Sequence, residues 1–186
     1  MKWLPLRKSS GEPLAVTMAG IKLGNRLLLV GSSDPVLIAG LAVKTGLTGR
    51  ACAVDASGAV SAHAAEIAER EGALIETITA PFTKLPLDAE SFDVAVVRDV
   101  LAAMDAAGRA ACLTEVHRVL RPGGRCLVID SAPSGLAALL RRAPGGADYG
   151  AHDGPAHALE SGGFRAVRTL AQSDGLLFAE GIKANA

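Results

Sequence analysis

Five apolar runs in this 186-residue chain end on residues that can hold a polar ligand. The stretch LLLVGSSDPVL (27–37) places Gly31, Ser32, Ser33 and Asp34 between a predicted strand and a predicted helix. Turns in that position often cradle a nucleotide cofactor, because glycine tolerates positive φ and a helix N-terminus favours negative charge. RACAVD (50–55) ends on Asp55, followed by Ala56. ALIETIT (73–79) is followed by Ala80, Pro81 and Phe82. FDVAVVRD (92–99) ends on Arg98 and Asp99, and RCLVID (125–130) ends on Asp130. Carboxylates and guanidinium groups at such ends offer charge-assisted hydrogen bonds. No residue pair has the character of a nucleophile and its base, so no catalytic residue is assigned. His152, Asp153 and His157 lie close together, but their loop is rich in Gly and Pro and offers no further ligand, so no metal is assigned.

These ends are positioned by an alternation of strands and helices. The runs are continuously apolar, as expected for strands buried on both faces. Asp34 or Ser33 can cap a helix with Pro35 in its first turn, ending at Gly46 or Gly49. Ser57 or Gly58 opens a second helix that ends near Gly72. Asp105 caps a third that reaches Leu120, where Pro122, Gly123 and Gly124 end it. A short helix is predicted within Leu14–Ile21, after a loose lead-in over Met1–Pro13. Helices of this length between strands imply parallel pairing through right-handed crossovers. A further short helix, AHALESGG, precedes the terminal pattern. There, FRAVRTLA and LLFAEGIKA are separated only by QSDG, a connection that joins an antiparallel hairpin. The fold class expected is therefore α/β, with a mostly parallel, doubly wound seven-stranded sheet and an antiparallel end. Ligands in such sheets sit beyond the C-terminal strand ends, near the switch in strand order.

Composition narrows the function. Lys and Arg total 19 and Asp and Glu total 19, so no net field favours a nucleic acid or an anionic membrane. Aromatic residues are 3%, too few for a base-stacking platform. The N-terminus lacks the apolar segment of a signal peptide, and no run reaches the roughly 20 residues of a membrane span. Cys52, Cys112 and Cys126 show no metal or disulfide spacing and are expected as buried free thiols. A cytoplasmic location follows as the expectation.

Together AGIKLGNRLLLVG, RACAVDAS, LPLDAESFDVAVVRDVL, EVHRVLRPGGRCLVID and GGFRAVRTLAQSDGLLFAEGIKA resemble a class I S-adenosylmethionine-dependent methyltransferase of the type 11, UbiE-like branch. The likeness runs from about Gly20 to Ala184 and implies a Rossmann-like domain spanning residues 1–186. It implies S-adenosylmethionine at Gly31, Ser32, Ser33, Asp34, Asp55, Ala56, Pro81, Phe82 and Arg98, with Asp55 accepting the ribose hydroxyls. It points to Asp99, Asp130 and Tyr149 as substrate contacts. The family's first motif is an acid followed by three alternate glycines. Here Leu29 holds the acid position, and Gly31, Ser33 and Pro35 hold the glycine positions. Strain is expected at Ser33 if its φ is positive. An acid after the third strand is also missing.

Each residue has a simpler role beside the functional one. Asp55 can cap the next helix, Gly31 can serve a tight turn, Arg98 and Asp99 can pair with each other, and Asp130 can be a cap or a solvated loop residue. His117 is expected in packing, and Arg141–Arg142 at a solvated helix end. Three functions follow: methyl transfer to a small-molecule acceptor, a non-catalytic domain serving a protein partner or a homo-oligomer, and nicotinamide-dependent oxidoreduction. The missing G-x-G-x-x-G fingerprint disfavours the third.

Overall fold

The computed structural model describes residues 14–131, 149, 154–173 and 175–185. The apolar runs form the middle of the sheet. Strands β1 (Arg26–Gly31) and β2 (Arg50–Asp55) keep the bounds expected from sequence. β3 is Glu76–Thr79 and β4 is Phe92–Arg98. β5 is Leu120–Ser131, and the terminal hairpin is β6 (Arg165–Ser173) with β7 (Leu176–Ile182). The seven strands lie in the order β3-β2-β1-β4-β5-β7-β6. Pairing is parallel from β3 to β5 and antiparallel for β5–β7 and β7–β6. The switch in strand order falls between β1 and β4.

Both sheet faces are covered, which is why the strand sequences do not alternate with polar residues. On one face Leu27, Leu29, Ala53, Val96 and Ile129 pack on α1 (Leu14–Ala19), α2 (Pro35–Thr45) and α3 (Ala59–Arg70). On the other, Leu28, Val30, Val54, Val97 and Val128 pack on α4 (Ala106–Val119) and α5 (Gly154–Ser161). The three cysteines are free and buried, and desolvation raises the thiols of Cys52 to about 11 and Cys112 to about 12. His117 packs edge-on against Phe164, with ring centroids 5.1 Å apart.

The edges of three elements differ from the sequence expectation. β3 begins at Glu76, because Leu74 projects into solvent and only Glu76 onward pairs with β2. Arg121, Pro122, Gly123 and Gly124 do not separate helix from strand. They form a bulge inside β5, since Leu120 already pairs with Phe92 and Arg125 with Val94. Asp93, between those two positions on β4, takes the Arg26 N–H at 2.7 Å and the Arg121 Nε at 3.0 Å. α1 stops at Ala19 instead of running to Ile21. Its last carbonyls accept from Arg125: Nη1 bonds Ala19 O at 2.7 Å and Nη2 bonds Met18 O at 2.5 Å, while Nε bonds Glu180 at 2.5 Å. The lead-in Met1–Pro13 and the Arg141–Arg142 pair lie outside the described residues.

Candidate functional site

The turn after β1 is built from hydrogen bonds that close on themselves. Asp34, and not Ser33, caps α2: its Oδ1 accepts from Val36 N at 3.0 Å and Leu37 N at 3.1 Å. The Asp34 N–H donates to Ser32 Oγ at 3.1 Å, and the Ser32 N–H donates to the Arg98 carbonyl at 3.0 Å. Pro35 has no N–H to offer. The positive φ falls at Ser32 (91°) and Gly31 (74°), not at Ser33. A Cβ on Gly31 would stand 2.2 Å from Val100 Cγ2 and 2.8 Å from Arg98 O, so close packing against the β4 end already requires glycine there. Leu29 is 3% exposed and sits in the apolar cluster under α2, where burying a carboxylate would be costly.

Asp55 ends β2 beside this turn, since Val54 is the register partner of Val30. Its Oδ1 accepts from Ser57 N at 3.2 Å and its Oδ2 from Val60 N at 3.1 Å. These bonds cap α3 in place of Gly58, whose αL backbone occupies the cap position without a side chain. The Ser57 hydroxyl lies 3.4 Å from both oxygens and can donate to one of them, so at least one lone pair of this half-buried carboxylate is left to accept a further hydroxyl. Pro81 and Phe82 follow β3 in a segment fastened from below. Arg118 donates to Leu87 O at 2.9 Å and Leu85 O at 3.0 Å, and Glu115 takes the Leu85 N–H at 2.8 Å. The Phe82 ring packs on the α4/α5-side core.

The neighbouring strand ends carry a second group. Arg98 Nε meets Asp99 Oδ2 at 3.2 Å, the ion pair expected as the simpler role. Asp99 also has a positive φ (55°), so two strained non-glycine residues, Ser32 and Asp99, flank the β1/β4 switch. The Asp99 N–H bonds Ile129 O at 3.1 Å.

Asp130 is neither a cap nor solvated. It is 2% exposed, its Oδ2 accepts from Tyr149 Oη at 2.5 Å, and its Oδ1 has no partner among the described residues. Burial, with the Asp99 carboxylate adding to it, raises the acid to about 6 despite the tyrosine hydrogen bond. Burial also pushes the Tyr149 hydroxyl far up. Arg109 places its guanidinium 5.0 Å from the Tyr149 ring centroid and bonds Met104 O at 2.6 Å. Tyr149, Leu113, Ala158, Arg109 and His157 line a pocket of about 250 Å³ between α4 and α5. Arg109 was not singled out from sequence; its only signal is its place one turn into α4. His152 and Asp153 lie outside the described residues.

A model of the methyltransferase domain matches residues 28–128. The chain belongs to this methyltransferase family. No curated protein matches. Among solved structures, a SAM-dependent methyltransferase from Aquifex aeolicus is similar at TM-score 0.73 and 19% identity, covering 91% of this chain and 87% of that one. A candidate methyltransferase from Bacillus halodurans gives 0.68 and 15%, with 92% and 97% covered. A candidate methyltransferase of Haloferax volcanii, in complex with the Trm112 methyltransferase activator, gives 0.65 and 16%, with 92% and 87% covered. Family membership supports S-adenosylmethionine as the cofactor. The residues present fit its nucleoside half, through the spare acceptor capacity of Asp55. The amino-acid half would face a turn in which the Ser32 and Asp34 amides are already bonded and Pro35 has none, and no contact to that half is assigned.

Proposed function

We propose that this methyltransferase domain, acting as one unit over residues 1–186, modifies a small-molecule acceptor held beside the cofactor at the C-terminal ends of β1, β2, β4 and β5. The observation that carries this reading is the placement of Asp55 next to the Gly31 turn, one strand from the β1/β4 switch. Asp55 would hold the ribose hydroxyls while continuing to cap α3. Pro81 and Phe82, fixed by the Arg118–Glu115 clamp, would flank the adenine. Ser32, Ser33, Asp34 and Ala56 border this space, and Arg98 with Asp99 would form its boundary toward the acceptor. When bound, S-adenosylmethionine supplies a methyl group activated on a sulfonium, so the protein's task is orientation more than bond activation.

Thermal unfolding with and without S-adenosylhomocysteine, paired with calorimetric titration, tests this. At a hundred times its Kd the ligand stabilises the fold by about 2.7 kcal/mol, a melting shift of roughly 5–10 °C for a domain of this size. Asp55→Asn should weaken binding by about tenfold or more, the loss of a charge-assisted bond. Absence of binding at millimolar ligand would overturn the cofactor reading and leave a domain that serves a partner without transferring a methyl group.

A further inference from the structure

A buried carboxylate with one bare oxygen, tied through a tyrosine to a cavity wall, is a group built to receive a proton. Among the described residues, Asp130 has no hydrogen-bond partner on Oδ1 and the Tyr149 hydroxyl on Oδ2, with the Asp99 backbone amide near the carboxylate. A buried anion in that state is poorly solvated, and taking up a proton relieves it. Tyr149 lines the pocket and bonds Asp130 with its hydroxyl, whose oxygen keeps a lone pair for a donor. The pocket surface is mostly apolar, from Ala106, Ala110, Leu113 and Ala158, and its volume suits a compact ligand.

We propose that the α4/α5 pocket binds the methyl acceptor, and that this acceptor is a small neutral molecule with an apolar body and a hydroxyl that donates to Tyr149. The proposal rests on the methyl-transfer reading above. Tyr149 is the contact residue, and Asp130 acts through it as a positioning residue. The ligand hydroxyl donates to Tyr149 Oη, which donates to Asp130 Oδ2. A proton shift along this chain leaves an oxyanion on the ligand and a neutral carboxyl at Asp130, while Tyr149 gives one proton and takes one. The oxyanion is the better nucleophile. An acid raised to about 6 suits such an acceptor near neutral pH. Among the described residues, the groups facing Asp130 are Asp99 and Arg98 from β4, Cys112 from α4 and Tyr149 itself, with Arg109 stacked beyond the ring. β7 offers only Leu177 at the paired position.

The test is an NMR titration of the full chain with phenol, anisole and benzoate at pH 7.5. Phenol should perturb the amides of Arg109, Ala110 and Ala158 and bind at least fivefold more tightly than anisole, which lacks the donor. Benzoate should bind more weakly than phenol, because its charge faces the Asp130 carboxylate. Tyr149→Phe should bring the phenol-to-anisole ratio to about one and leave anisole unchanged. The wild-type preference should shrink at pH 5, where Asp130 already holds a proton. Equal binding of phenol and anisole, tighter benzoate, or a preference that survives Tyr149→Phe overturns the proposal. Should Tyr149→Phe not fold, Ala110→Trp, on the exposed side of α4, fills the pocket. It should abolish phenol binding, and unaltered binding overturns the proposal. S-adenosylhomocysteine titrated in parallel separates the two failures: its loss sinks the cofactor reading, whereas loss of the phenol result alone sinks only this one.

Discussion

Asp55 and Asp130 occupy equivalent places, each the acid near the C-terminal end of a parallel strand, yet their surroundings are opposite. Asp55 is half-exposed, and its oxygens take the Ser57 N–H just ahead of α3 and the Val60 N–H in its first turn. Asp130 is sealed under Tyr149 with one oxygen unmatched. The first is an acceptor with capacity to spare, and the second is a proton sink. A strand-end acid takes its role from what covers it. Among the described residues, Asp55 keeps contact with solvent, whereas Tyr149 covers Asp130.

The largest effect expected from breaking this contrast lies at the turn beside Asp55. Gly31→Ala places a methyl against Val100 and the Arg98 carbonyl at positive φ. The cost is about 3 kcal/mol or more, roughly 10 °C in Tm. Next comes the pH dependence set by Asp130. Its folded acid, at about 6, lies above the ordinary 3.8, so the folded state binds the proton more readily than the unfolded chain. This contribution favours folding below about pH 4 and is lost as pH rises through 6, on the order of 2–3 kcal/mol in all. Asp130→Asn should flatten that slope in urea unfolding at pH 4.5, 5.5 and 7.5; a slope that persists would assign it elsewhere. Smaller still, Asp55→Ala removes the acceptor for the Ser57 N–H and for the Val60 N–H at the start of α3, and should cost about 1 kcal/mol. Asp34→Ser keeps an N-cap on α2 and should cost only a few tenths of a kcal/mol by the same measurement. If Asp55→Ala proved as costly as Gly31→Ala, the picture of an open, partly solvated Asp55 would fail.

Sequence and structure agree where burial on both faces dictates the pattern. β1 and β2 are continuous apolar runs, so their bounds are visible without a partner strand. β3 is not, because an edge strand is covered on fewer sides and Leu74 stays in solvent. The bulge at Arg121–Gly124 escapes notice because Pro and Gly ordinarily stop an element, and only the register of β4 against β5 shows the strand resuming on both sides. The capping roles of Asp34 and Asp105 are local and legible. The burial of Asp130 is not: it depends on a tyrosine 19 residues away, and a lone tyrosine in a Gly/Pro-rich stretch carries no periodic signal. The strain at Ser32 was equally hidden, since a motif comparison points to Ser33 while the backbone turns one residue earlier.

The Arg125 guanidinium has a consequence for how the chain matures on the ribosome. It joins the end of the first described helix to Glu180 on β7, so two elements far apart in sequence meet on one side chain. β7 also covers the outer edge of β5 along seven paired positions. Until those residues emerge, β5 presents unpaired backbone to its neighbours and Arg125 lacks its carboxylate. Such contacts close late, because loop-closure entropy is paid before they form. A stalled nascent chain ending before Leu176 therefore carries a sticky β5 edge, and chaperone engagement should persist until the terminal hairpin is released.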